Sequence, residues 1–129
     1  MFVNDCLNIN EKGHLTIGGC DTVELAKEYG TPLYVLDENT IRTTCRSYVE
    51  SFKKFYNGNG MPLYASKALS CKELCRIANE EHLGLDVVSG GEIYTAQQAG
   101  FPMEKTHFHG NNKTCLLYTS PSPRDRTRS

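Results

Sequence analysis

The chain has 129 residues, room for one ordinary domain, and its 39% hydrophobic and 22% charged residues are those of a globular protein with a net charge of −1. That balance gives no reason to expect nucleic acid or an acidic membrane surface as a partner, and no stretch reaches the ~18 apolar residues of a membrane span. The first ten residues carry Asn4, Asp5 and Asn8 without a basic stretch, so they do not read as a secretory signal. A cytoplasmic location with six reduced cysteines is the expectation.

Leu7, Ile9, Leu15 and Ile17 alternate with polar residues around Glu11-Lys12-Gly13, which predicts a short hairpin. Asp21-x-x-Glu24 is a capping box that opens a helix through Tyr29, closed by Gly30 and Pro32. The continuous apolar run Pro32-Leu33-Tyr34-Val35-Leu36 predicts a first buried strand. Pro62-Leu63-Tyr64-Ala65 repeats its opening thirty residues later, the length of a strand–helix unit. Between them Ile41, Cys45, Tyr48, Val49, Phe52 and Tyr56 form one apolar helical stripe, stopped by Asn57-Gly58-Asn59-Gly60. Ser70-x-x-Glu73 is the next capping box, ahead of a helix that buries Leu74, Cys75, Ile77 and Ala78. A third strand is expected over 83–88. A helix capped by Ser89-x-x-Glu92 carries Ile93, Ala96 and Ala99 and ends at Gly100, and a fourth strand covers 106–109.

Near-continuous apolar strands alternating with amphipathic helices imply a parallel sheet covered by helices. A doubly wound sheet and a (β/α)8 barrel both fit that order. From Thr114 onward the pattern stops. Two Ser-Pro pairs appear, and three of the six arginines fall in the last six residues. Residues 114–129 are expected to be disordered or foreign to the fold, since they resemble the translated read-through of a sequencing adapter.

Three side chains are candidates for chemistry. Lys67 follows the second strand, where alternation puts it on one face with Leu63 and Ala65. At the C-terminal end of a barrel strand a lysine can act as an amine nucleophile once desolvation lowers its pKa. Position alone favours a lysine solvated in a loop. Asp86 lies opposite Leu85 and Val87 on the third strand, so it is expected on the face away from the helices, one strand over from Lys67; a structural ion pair is the plainer alternative. His107 and His109 share a face, and His109 is the nearer to the strand end, although a structural histidine suits the pattern as well. Ser89-Gly90-Gly91-Glu92 invites comparison with a phosphate cradle, but Glu92 would repel phosphate and the segment reads mainly as a cap. Cys71 and Cys75 share a helical face with no second Cys/His pair nearby, so buried thiols, and no metal site, are expected.

The segments Tyr64-Ala65-Ser66-Lys67-Ala68 and Gly84-Leu85-Asp86-Val87-Val88-Ser89-Gly90-Gly91-Glu92 resemble two signatures of the fold-type III pyridoxal-phosphate-dependent decarboxylases. The resemblance covers about residues 5 to 113. Gly30-Thr31-Pro32-Leu33-Tyr34-Val35 and Phe108-His109-Gly110-Asn111-Asn112-Lys113 are similar to the branch that decarboxylates meso-2,6-diaminopimelate to L-lysine. Decarboxylases of ornithine, arginine or carboxynorspermidine, alanine racemase, and a non-catalytic cofactor-carrying barrel are alternatives within that resemblance. A flavodoxin-like binding module is the alternative outside it.

The resemblance implies pyridoxal 5'-phosphate as cofactor, held covalently by Lys67, with Asp86 close to both and His109 near the ring or phosphate. It implies a small amino-acid substrate and a homodimeric parent enzyme. It also implies a domain plan: 1–31 as a hairpin and helix from a second, β domain; 32–113 as about the first four strands of a (β/α)8 barrel; and 114–129 outside the homology. A full barrel runs to about 250 residues, so such a piece is expected to be inactive and poorly stable alone.

Overall fold

The computed structural model describes residues 4–110. The chain divides into two compact units, Met1–Thr44 and Cys45–Ser129.

In the first unit, β1 (Leu7–Ile9) and β2 (Leu15–Ile17) pair antiparallel, Leu7 with Ile17 and Ile9 with Leu15. This is the predicted hairpin, and a two-residue β3 (Cys20–Asp21) adds to it beside β2. Helix α1 (Thr22–Tyr29) starts where Asp21 accepts hydrogen bonds from the N–H groups of Val23 and Glu24, and it ends at Gly30, φ +80°. Asp21 holds more than the helix. Its other oxygen accepts from Asn10 Nδ2 at 2.7 Å and lies 2.9 Å from His14 Nδ1. The bond with His14 and these further donors outweigh partial burial and keep the Asp21 carboxyl well below the usual carboxylate range.

The first predicted strand does not form. Residues 32–36 are in no ladder, and Leu33, Tyr34 and Leu36 are exposed, Tyr34 at 98%. An apolar run becomes a strand when a neighbour pairs its backbone, and among the described residues none does. The long helix α2 (Glu38–Tyr56) follows. Asp37, which the sequence pattern did not single out, caps it: its carboxylate accepts the Thr40 N–H at 2.7 Å, and the bonds from Thr40 lower its pKa. Of the expected stripe Ile41, Cys45, Val49 and Phe52 are half-buried, whereas Tyr48 and Tyr56 lie exposed. Asn57 ends the helix at φ +51°.

The second unit holds three parallel strands in the order β4–β5–β6. They are β4 (Leu63–Ala65), β5 (Gly84–Val87) and β6 (Thr106–Phe108). Register sets Ala65 beside Asp86 and Asp86 beside His107; on the other face Leu85 adjoins Thr106, and Val87 adjoins Phe108. Leu85 and Val87 are fully buried with Cys75 and Ala78 of α3 (Lys72–Glu80), Ala96 of α4 (Gly90–Gln98), Leu83 and Phe101. Cys45 and Val49 of α2 pack against this cluster. The fold class is α/β, with helices on one sheet face. Gly84 is required by close approach: a Cβ there would lie 2.5 Å from Leu63 Cδ2 and 2.6 Å from the Lys105 carbonyl oxygen.

Helix α3 buries Leu74, Cys75, Ile77 and Ala78 as expected, but its start is not the expected one. It begins at Lys72, so Cys71 is the capping residue and gives no side-chain bond. Ser70 falls one residue early, and Glu73 pairs with Arg76 instead. The box at Ser89 does form. Ser89 Oγ accepts the Glu92 N–H at 3.3 Å, and Glu92 accepts the N–H groups of Ser89, at 3.1 Å, and Val88. Glu81, buried at the end of α3, accepts two 2.7 Å hydrogen bonds from Arg46 Nε and Nη2. Residues 114–129, expected to be foreign or disordered, lie outside the described residues, as do Asn111, Asn112 and Lys113.

Candidate active site

Parallel strands share one C-terminal edge, and the three candidate residues all stand on it. Lys67 follows β4, Asp86 is in β5, and His109 follows β6. Asp86 is half-buried between buried Leu85 and Val87, on the sheet face that the core cluster does not use. This agrees with its expected orientation. His107 is its direct neighbour in the register, whereas His109 is exposed one residue beyond β6. The His109 N–H still donates to the Val87 carbonyl at 2.9 Å, so the backbone remains anchored there.

Lys67 departs from the simple alternation. β4 ends at Ala65, and Ser66–Ala68 form one turn of 3-10 helix with Lys67 exposed in its middle. Strand periodicity therefore does not set its direction; the turn does. Two hydroxyl groups hold that turn. Ser66, only 1% exposed, donates from Oγ to the Asp86 carbonyl at 3.2 Å. The Tyr64 hydroxyl donates to the Leu69 carbonyl at 2.9 Å. Burial, then the neighbouring Cys71 thiol, push the Tyr64 hydroxyl pKa up, so it stays a protonated donor. Burial likewise raises the Cys75 thiol, which suits a packed, unreactive cysteine. Neither Tyr64 nor Ser66 stood out in the sequence, because only the third dimension shows which carbonyl a hydroxyl reaches.

An exposed amine, a half-buried carboxylate and an exposed imidazole on one sheet edge suit an aldehyde cofactor that needs a nucleophilic nitrogen and polar groups about its ring. The glycine-rich start of α4 does not suit its phosphate, because the Glu92 carboxylate already sits there on the Val88 and Ser89 N–H groups. Among the described residues no group of three or more His, Cys, Asp or Glu side chains is placed to hold a metal ion. No described helix is long and apolar enough to cross a membrane.

Residues 38–116 match the pyridoxal-dependent decarboxylases over their pyridoxal-binding domain. The diaminopimelate decarboxylase of Bacillus methanolicus is 53% identical over 114 residues, which is 88% of this chain and 26% of that protein. The enzyme of the same name from Bacillus subtilis (strain 168) is 50% identical with the same coverage. The crystal structure of diaminopimelate decarboxylase from M. jannaschii in co-complex with L-lysine superposes with a TM-score of 0.77 at 39% identity, over 88% of this chain and 27% of the other. The chain thus spans about a quarter of the length of the relatives it matches.

Proposed function

Because the chain belongs to the pyridoxal-dependent decarboxylases, we propose that it supplies the cofactor lysine, Lys67, of an enzyme that decarboxylates meso-2,6-diaminopimelate to L-lysine. The observation that carries this reading is the position of Lys67. It is an exposed amine at the C-terminal edge of a parallel sheet, inside the matched pyridoxal-binding domain. Identity near 50% to diaminopimelate decarboxylases supports the substrate.

In this reading Lys67 Nζ would be the group that holds the cofactor covalently. The chemistry such a cofactor would supply when bound is an electron sink for the pair left on the α-carbon by decarboxylation. Asp86, one strand over, would stand close to Lys67 and the bound cofactor, where its carboxylate could orient them. His109 would lie near the cofactor ring or phosphate. The three strands are part of a (β/α)8 barrel, and the β1–β3 sheet is part of a separate β domain. The whole-length enzyme acts as a cytoplasmic homodimer on a small amino-acid substrate. The described chain leaves both sheet edges unpaired, and the 129-residue chain alone is expected not to decarboxylate.

The test is covalent trapping. The chain is incubated with pyridoxal 5'-phosphate, reduced with borohydride and mapped by peptide mass spectrometry. Label is expected to concentrate on Lys67 and to vanish in Lys67→Ala. Even labelling across Lys12, Lys27, Lys53, Lys54, Lys72 and Lys105 would reject Lys67 as the cofactor lysine.

A further inference from the structure

The turn that carries Lys67 is short, outside any ladder and exposed at Lys67 and Ala68, the kind of segment that samples several conformations unless it is held. A cofactor lysine needs the opposite, since a misplaced amine loses the advantage of proximity. Two hydroxyl groups, one at the start of the turn and one in the strand before it, meet that need in different ways. Ser66 precedes Lys67 and is buried, with its Oγ on the carbonyl of Asp86. Ala65 is the last β4 residue in register with Asp86, so this bond extends the β4–β5 ladder by one side-chain rung. It also fixes the neighbour of Lys67 to the backbone of the carboxylate residue. Tyr64 sits two residues earlier, on the strand face opposite to that of Asp86, its ring packed against the core cluster. From there its hydroxyl reaches forward over the turn to the Leu69 carbonyl, two residues past Lys67.

We propose that Tyr64 and Ser66 are positioning residues for Lys67, holding its turn at both ends through the Leu69 and Asp86 carbonyls. The proposal rests on the reading of Lys67 as the cofactor lysine. The two hydroxyls hold backbone, so they act on where the amine emerges and not on the cofactor itself. Tyr64 anchors the turn to the packed side of the sheet, and Ser66 anchors it to the strand that bears Asp86. The hydroxyls are separable from the packing around them, because Phe fills the Tyr64 site and Ala fits the Ser66 site without a clash.

The experiment uses the 129-residue chain, Tyr64→Phe, Ser66→Ala and the double variant. Amide hydrogen exchange over 66–70 is measured without cofactor, with the 74–80 stretch of α3 as internal reference. Each single variant is expected to raise exchange over 66–70 roughly two- to tenfold, the factor expected for one lost hydrogen bond, while α3 stays unchanged. Unchanged exchange over 66–70, or a rise shared equally by α3, overturns the clamp. The second readout is the rate of borohydride-trapped labelling of Lys67 by pyridoxal 5'-phosphate relative to exposed Lys12. That ratio is expected to fall in each variant and fall furthest in the double variant. A ratio that holds while exchange rises overturns the positioning role. If wild-type Lys67 is not labelled above Lys12, the cofactor reading fails and so does a role in positioning a cofactor lysine, while the exchange data alone decide whether the turn is clamped.

Discussion

Pro-Leu-Tyr occurs twice in this chain, and its two copies differ in backbone pairing and in the burial of their tyrosine. At 62–64 it leads into β4, where Leu63 pairs with Gly84 and the half-buried Tyr64 closes a hydrogen bond over the lysine turn. At 32–34 the same residues join no ladder, and Tyr34 is 98% exposed. The difference lies in what surrounds each copy. The 62–64 copy lies beside β5, whose Leu85 and Val87 are sealed by α3 and α4, and that sheet supplies backbone partners at low cost. The 32–34 copy has none among the described residues. Apolar character makes a strand available; a paired neighbour makes it form.

The comparison breaks most directly at Leu85. Leu85→Ala should destabilise the second unit by about 2–5 kcal/mol, since it empties a fully buried site. Tyr34→Ala should change stability by no more than about 0.5 kcal/mol. Urea unfolding followed by circular dichroism measures both, and comparable losses would show that the 32–36 run is packed after all.

A smaller effect is expected at Arg46. Arg46→Ala strips two hydrogen bonds from the buried Glu81 carboxylate and should cost about 1–3 kcal/mol, read as a lower urea midpoint. Glu81→Gln in the same background should recover part of that loss, because a neutral amide is less costly to bury than an unpaired charge. No recovery would mean that Arg46 acts through the packing of its stem alone.

The smallest effect concerns the first unit and sharpens the contrast from its side, because there a polar hub stands in for a buried core. The pKa of Asp21 is lowered in the folded state, so its stabilisation is full above its ordinary value of 3.8 and is lost as pH falls below that value. Hydrogen exchange of the α1 amides between about pH 5 and pH 2, corrected for intrinsic rates, should show this loss in the wild type. Asp21→Asn should flatten it. An unchanged acid profile in Asp21→Asn would assign the acid sensitivity to other carboxylates.

Much of this was legible in the sequence because it depends on near neighbours. The hairpin, the helix over 38–56 with its Asn57 stop, the Ser89–Glu92 box and the buried face of α3 are local patterns, and each appears where the spacing put it. The opposition of Asp86 to Leu85 and Val87 follows from a period of two and also holds. Failures came where a pattern needed a partner or a one-residue register. The 32–36 run lacked a neighbouring strand. Ser70 missed the cap because α3 starts at Lys72, and the strand face assigned to Lys67 dissolved when β4 ended at Ala65.

The sequence by itself singled out the residues proposed to carry chemistry. An amine, a carboxylate and an imidazole recur at strand ends of an alternating strand–helix pattern, and side-chain type and spacing are written in the chain. Only the tertiary structure decided how they are held: His107 rather than His109 beside Asp86, and the Ser66 and Tyr64 hydroxyls on carbonyls to either side of the Lys67 turn in space. The physical reason is that the hydrogen bond from the Lys67 turn to β5 joins residues twenty positions apart, and no local period records which carbonyl a hydroxyl will meet.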